Sequence, residues 1–124
     1  MQTEEFMDQV QQRAELADRG QATKVTDAVL SVFGQLQLKG ETNDVIAQLP
    51  REVAEMVSRP SQPEQFDADE FIARIQTELS CSAAQADRAA TAVLSTTSEA
   101  VIDGEKIDLL LQLPKDFSRF ATAD

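Results

Sequence analysis

The string Ala28-Val29-Leu30-Ser31 returns intact as Ala92-Val93-Leu94-Ser95, 64 residues further along the chain. Gly40-Glu41 returns as Gly104-Glu105, and Gln48-Leu49-Pro50 as Gln112-Leu113-Pro114, in the same register. Gln21-Ala22 meets Gln85-Ala86 and Asp44 meets Asp108 at that spacing too. Upstream, Glu5-Phe6 meets Glu70-Phe71 at an offset of 65, so one residue has been gained or lost near Leu16. Separate matches in one register mark an internal duplication, and each copy is then expected to follow the same path through space. The copies run 1–59 and 66–124, joined over 60–65 by a linker whose Pro60 and Pro63 interrupt any continuing helix.

Each copy reads as four helices. The first starts near Thr3 in one copy and near Asp67 in the other. Phe6, Val10 and Ala14 lie four apart on one face, as do Phe71, Ile75 and Leu79. Asp67 stands three residues before Glu70, the spacing of a capping box. The second helix is the longest, with Asp18 and Gln21, then Ser82 and Gln85, in equivalent cap positions. Its apolar stripe is Ala22, Val25, Val29, Val32, Phe33 and Leu36 in the first copy. In the second copy the stripe is Ala86, Ala89, Ala90, Val93, Thr97 and Val101, smaller side chains that permit closer helix approach. Gly40 and Gly104 supply the expected stop. A short third helix covers 41–48 and 105–112, and Pro50 and Pro114 open a fourth as its first residue. Val53, Met56 and Val57 give that helix an apolar face, matched by Phe117 and Phe120. No alternation of period two persists anywhere. The expectation is an all-α single domain over 1–124: two tandem four-helix repeats packed as one pseudo-twofold helical bundle. Half a chain of this length buries its apolar faces poorly alone, so the copies are expected to share one core.

Composition narrows the chemistry. Acidic residues outnumber basic ones 22 to 11, a net charge of −11, while 42% hydrophobic content is ordinary for a globular chain. Such a charge argues against nucleic acid or anionic lipid as a partner, because repulsion opposes each phosphate contact. His, Trp and Tyr are absent, which removes most acid–base and several binding side chains. The single Cys81 has no internal partner for a disulfide, in keeping with a reducing compartment. The acidic start Met1-Gln2-Thr3-Glu4-Glu5 has no apolar stretch behind it, unlike a signal peptide. Leu109-Leu110-Leu111 is far too short an aliphatic run to cross a bilayer. A cytoplasmic protein away from membranes is expected.

The order of these features resembles a known family: Glu-Phe opening the first helix, Ala-Val-Leu in the second, a glycine turn, then Gln-Leu-Pro before charged residues and an apolar pair. It is similar to the bacterial domain-of-unknown-function family DUF2267, and the resemblance covers nearly the whole chain. It implies a duplicated, compact helical domain with no catalytic residues to carry over. Members more usually place acidic residues after Gln-Leu-Pro, where this chain has Arg51 and Lys115.

Several residues invite a functional reading. Gln48 and Gln112 offer amide donors and acceptors to a partner peptide if the two copies face each other across a groove. The simpler reading buries Leu49 and Leu113 and lets the prolines start a helix. Leu110, Phe117 and Phe120 carry more apolar surface than a short terminal segment needs, and any part left uncovered would dock a partner helix or a second copy of the chain. Asp67-Ala68-Asp69-Glu70 resembles the start of a calcium loop, with Glu78 at the twelfth position, but Ile72 stands where the loop needs glycine. A helix cap explains these carboxylates better. Asp103, Glu105 and Asp108 around Gly104 read as a solvated helix start. Cys81 precedes the cap residue Ser82, where a thiol pKa can fall, yet no histidine exists to act as its base. It reads as a small, partly buried hydrophobe. Ser95-Thr96-Thr97-Ser98 lies mid-helix with no Ser-x-x-Lys or Gly-x-Ser-x-Gly pattern, so its hydroxyls should bond back to helix carbonyls. Arg13, Arg19, Lys24, Arg74 and Arg88 are dispersed among acids, which suits surface ion pairing.

No catalytic, cofactor-binding or metal-ligating set emerges. The expected function is a non-enzymatic binding or regulatory module acting through protein–protein contacts, with a second copy of the chain among the partners considered. One alternative is a protein that binds a small molecule or a divalent cation with carboxylates between the copies. Another is an acidic mimic of nucleic acid, which would need an unbroken array of charge where this chain interleaves bases.

Overall fold

Glu4 and Glu5 in the first turn and Arg13 in the last suit helix α1, Thr3–Arg13, to its own dipole in the computed structural model of the chain. The structure describes residues 2–36, 49–58, 61–62, 64–100, 117 and 120. Phe6, Met7 and Val10 form the buried face of α1. Helix α2, Arg19–Phe33, starts where the Asp18 carboxylate accepts the Gln21 N–H at 2.8 Å. Its buried residues include Ala22, Val25, Val29, Val32 and Phe33 of the stripe read from the sequence, together with Thr26, Ala28 and Leu30, which that stripe left out. Arg51–Ala54 is a single turn, α3, that buries Val53. Asp67 caps α4, Ala68–Leu79, by accepting the Glu70 N–H at 2.9 Å. The last helix among the described residues, α5, is Ala83–Ala100. At its start the Ser82 Oγ accepts from Gln85 N at 3.1 Å, and Gln85 Oε1 accepts from Ser82 N at 3.0 Å, a complete capping box. Among the described residues no strand forms; one isolated bridge links Leu36 and Glu64.

Both hairpins turn in the same way. Glu15 after α1 and Ser80 after α4 are left-handed, with φ of 55° and 54°. In each, the next residue closes a bond back over five positions, Leu16 N–H to Gln11 O at 2.9 Å and Cys81 N–H to Gln76 O at 3.3 Å. These are Schellman ends built without glycine, and each non-glycine residue there costs about 1 kcal/mol of backbone strain.

Four helices pack around one apolar cluster. α1 lies against α2 and α5, α4 lies against α5 and α2, and α2 touches α5. Phe6, Val10, Val29 and Phe33 join Phe71, Ile75, Val93 and Leu94 in a continuous core. α5 contacts all three other long helices, and its buried Ala86, Ala89, Ala90 and Ala92 keep its inner face thin enough to do so. Arg13 crosses from α1 to α5, donating to Ser95 Oγ at 3.3 Å and Thr96 Oγ1 at 3.1 Å and pairing with Glu99. As expected from the sequence, those hydroxyls bond back along the helix, Thr96 Oγ1 to Ala92 O at 2.7 Å and Thr97 Oγ1 to Val93 O at 2.8 Å. On the opposite side Arg74 of α4 reaches Gln35 at 2.8 Å, bonds Glu64 and Glu70, and stacks 4.0 Å over the Phe66 ring. The hydrogen bond and charge of Arg74 hold the Glu64 carboxyl below its ordinary pKa.

Two expectations need correction. The second helix ends at Phe33, short of Leu36, and Pro50 is the residue before α3 instead of its first. Gly34 is the C-cap of α2, still in helical backbone geometry, and lies against the Ser58 backbone. A Cβ there would overlap the backbone carbonyl and amide of Ser58, with the Ser58 carbonyl carbon 2.8 Å away. The chain leaves α2 so that the segment after α3 can pass over it, and Ser31 Oγ and Ser58 Oγ bond at 3.0 Å beside the crossing. Leu36 stays buried, but through the bridge to Glu64, not through helix. The expected third helices, 41–48 and 105–112, and the turns at Gly40 and Gly104 lie outside the described residues.

Because Ser58 meets Gly34 through rigid backbone, Gly34→Ala should destabilise the fold by about 3 kcal/mol, the upper end of overpacking costs. Urea unfolding would measure it, and an unchanged midpoint would show that Ser58 is free to move away.

Candidate functional site

The two Schellman turns and the first turns of α2 and α5 surround a cavity of about 500 Å³. From the first half come Ala14, Glu15 and Leu16, then Gln21, Lys24 and Val25. From the second come Leu79, Ser80 and Cys81, then Gln85, Arg88 and Ala89. Every member has its counterpart at the sequence register of 65 before the loop, as Glu15 with Ser80, or 64 after it, as Lys24 with Arg88. The volume lies within the range of small-molecule sites.

The lining divides by polarity. Ala14, Val25 and Ala89 are buried and Leu16, Leu79 and Cys81 half-buried, forming an apolar wall. Glu15, Gln21, Lys24, Ser80, Gln85 and Arg88 are exposed and form the rim. Across the mouth Arg88 pairs with Glu15 at 3.1 Å, an exposed contact of small energy. The matching position on the other side holds Lys24 and Ser80, and among the described residues Lys24 has no ion pair. The capping duties of the two glutamines orient their amides. Gln21 Oε1 accepts from Ala17 N at 3.1 Å, and Gln85 Oε1 accepts from Ser82 N, so each amide nitrogen is turned away from the helix cap.

Residues 3–120 match the family described as uncharacterized conserved protein DUF2267. The chain belongs to that family. No curated protein matches it.

Within this DUF2267 chain Cys81, Lys24 and Arg88 line the cavity, while Phe117 and Phe120 do not. Phe117 and Phe120 are fully buried and close a triangle of rings with Phe71, centroids 5.1 to 5.7 Å apart. Their rings therefore belong to the core and offer a partner nothing to grip. Gln48, Leu110 and Gln112 lie outside the described residues, as do Asp103, Glu105 and Asp108. Asp67 commits its carboxylate to the α4 cap, and Glu70 commits its own to Arg74. Among the described residues no three His, Cys, Asp or Glu side chains converge as a metal site would require. No described helix is long and apolar enough to cross a membrane.

Nothing in the linear order of residues announces the cavity. Along the chain Gln21 and Gln85 read as caps, and Lys24 and Arg88 as dispersed surface charge. The available signal is the pattern Gln-x-x-basic just inside the second helix of each half, in register.

Cys81 sits in the cavity wall, and burial pushes its thiol pKa up. Burial disfavours the charged thiolate, so at neutral pH the neutral thiol dominates. Reaction of Cys81 with an aromatic disulfide reagent at pH 7.5 should run about 10-fold slower in the folded chain than in urea. Equal rates would show the thiol fully hydrated.

Proposed function

We propose that this DUF2267 protein is a non-enzymatic binding or regulatory module, acting through protein–protein contacts in the cytoplasm, and that the cavity between its halves is its recognition site. The carrying observation is the composition of that cavity. Both halves contribute matched residues to one concave, amphipathic surface, and its thiol, Cys81, is neutral in a chain that has no imidazole to activate it. Binding needs only such a surface, whereas acid–base or covalent catalysis needs a paired proton acceptor. A module of this kind transmits occupancy because the site lies on the seam where the halves meet.

The reading includes the architecture. The two halves are copies of one helical unit packed about an approximate twofold axis as a single domain over 1–124. Supporting this are the equal left-handed turns at Glu15 and Ser80, the matched caps at Asp18 and Ser82, and the reciprocal packing of α1 on α5 and α4 on α2. The core runs through both halves, so a chain ending at Arg59 should lack a cooperative thermal transition. A sharp transition from that fragment would sink the shared core.

The functional reading is tested by affinity capture with the intact chain and with a Lys24→Glu, Arg88→Glu double variant. Both side chains are exposed, so the variant keeps the fold. A partner retained by the native rim and lost with the reversed charges is expected. A turnover measured in a substrate screen, unchanged by the double variant, would overturn the reading.

A further inference from the structure

We propose that the cavity takes a small amphipathic monoanionic group of a protein partner, a single carboxylate on a compact apolar body. The inference rests on the cavity being a recognition site and adds the chemistry of what it recognises.

The rim is rich in donors and poor in acceptors. Gln21 and Gln85 commit their carbonyl oxygens to backbone N–H groups at the helix starts, which leaves their NH₂ ends for a ligand. Lys24 adds an ammonium with no ion pair among the described residues, and the Ser80 hydroxyl also belongs to the lining. The rim's one carboxylate, Glu15, is already engaged by Arg88 at 3.1 Å. A carboxylate, which only accepts, complements such a set, while an ammonium ligand would meet the Lys24 charge, with the rim's carboxylate already paired to Arg88.

Charge counting limits the ligand to one negative charge. Lys24 and Arg88 against Glu15 leave the mouth with a single surplus positive charge, on a chain whose net charge is −11. A polyanion would exceed that local surplus and be repelled by the field of the whole protein, whereas a monoanion is neutralised where it binds. The rest of the ligand faces Val25, Leu79 and Ala89, walls that favour apolar area. Metal chelation is no part of the recognition.

The test uses three eight-carbon probes on the intact chain, each below its micelle concentration or solubility limit: octanoate, octanol and octylamine. Amide chemical shifts are followed by NMR. Octanoate should shift the signals of 14–16, 21–25, 79–81 and 85–89 saturably, with octanol about 10-fold weaker and octylamine without effect, as loss of a charge-assisted hydrogen bond implies. Lys24→Gln should weaken octanoate about 10-fold and leave octanol unchanged, and Lys24→Arg should restore octanoate. Octanol or octylamine binding in the cavity as tightly as octanoate would overturn the anion assignment while leaving the recognition site standing. Silence of the cavity signals to all three probes would overturn both.

Discussion

Burial across the seam between the halves is the interaction on which the rest depends. α1 and α2 alone make a hairpin with one apolar face, and so do α4 and α5; each face is covered largely by the other hairpin, with Val53, Phe117 and Phe120 closing the same core. α2 and α5 bear the most of this duty, since each touches the three other long helices. The alanine-rich face of α5 answers a geometric demand, because a helix surrounded on three sides has no room for large side chains on all of them. At the periphery, Arg13 ties α1 to α5 and Arg74 ties α4 to Gln35 just past the end of α2, and Arg13 remains only 19% exposed while doing so.

Features decided within a few residues are legible in the sequence. The caps at Asp18, Asp67 and Ser82 each depend on a side chain reaching an N–H three positions on, so spacing alone reveals them. The apolar stripes are equally plain, because the helical period repeats the core face along the chain. Gly34 is not legible, since what forbids a side chain there is Ser58, reached only after the chain has folded back. Glu15 and Ser80 hide their left-handed turns for another reason: their identities favour no such geometry. The cavity cannot be read at all from single residues, because 14–25 and 79–89 become neighbours only in the bundle.

The acidity of the chain and the polarity of its cavity point in opposite directions. A net charge of −11 keeps anions away from most of the surface. Against that background a rim of two amides, a hydroxyl and a lysine without an ion pair among the described residues is a local exception made by placement, not by composition. Counting charges along the sequence finds no such exception, for the bases look evenly scattered there.

The register between the two halves slips by one residue, and the place of the slip matters. The first half runs Leu16-Ala17-Asp18 where the second has only Cys81-Ser82 between turn and cap. The surplus is taken up in the loop at the lip of the cavity, so Gln21 reaches back four positions to Ala17 while Gln85 reaches back three to Ser82. Two facing walls, otherwise paired residue for residue, have thereby become left and right. Any guest lying between them finds one way round better than the other, and a seam of matched walls acquires a handed seat.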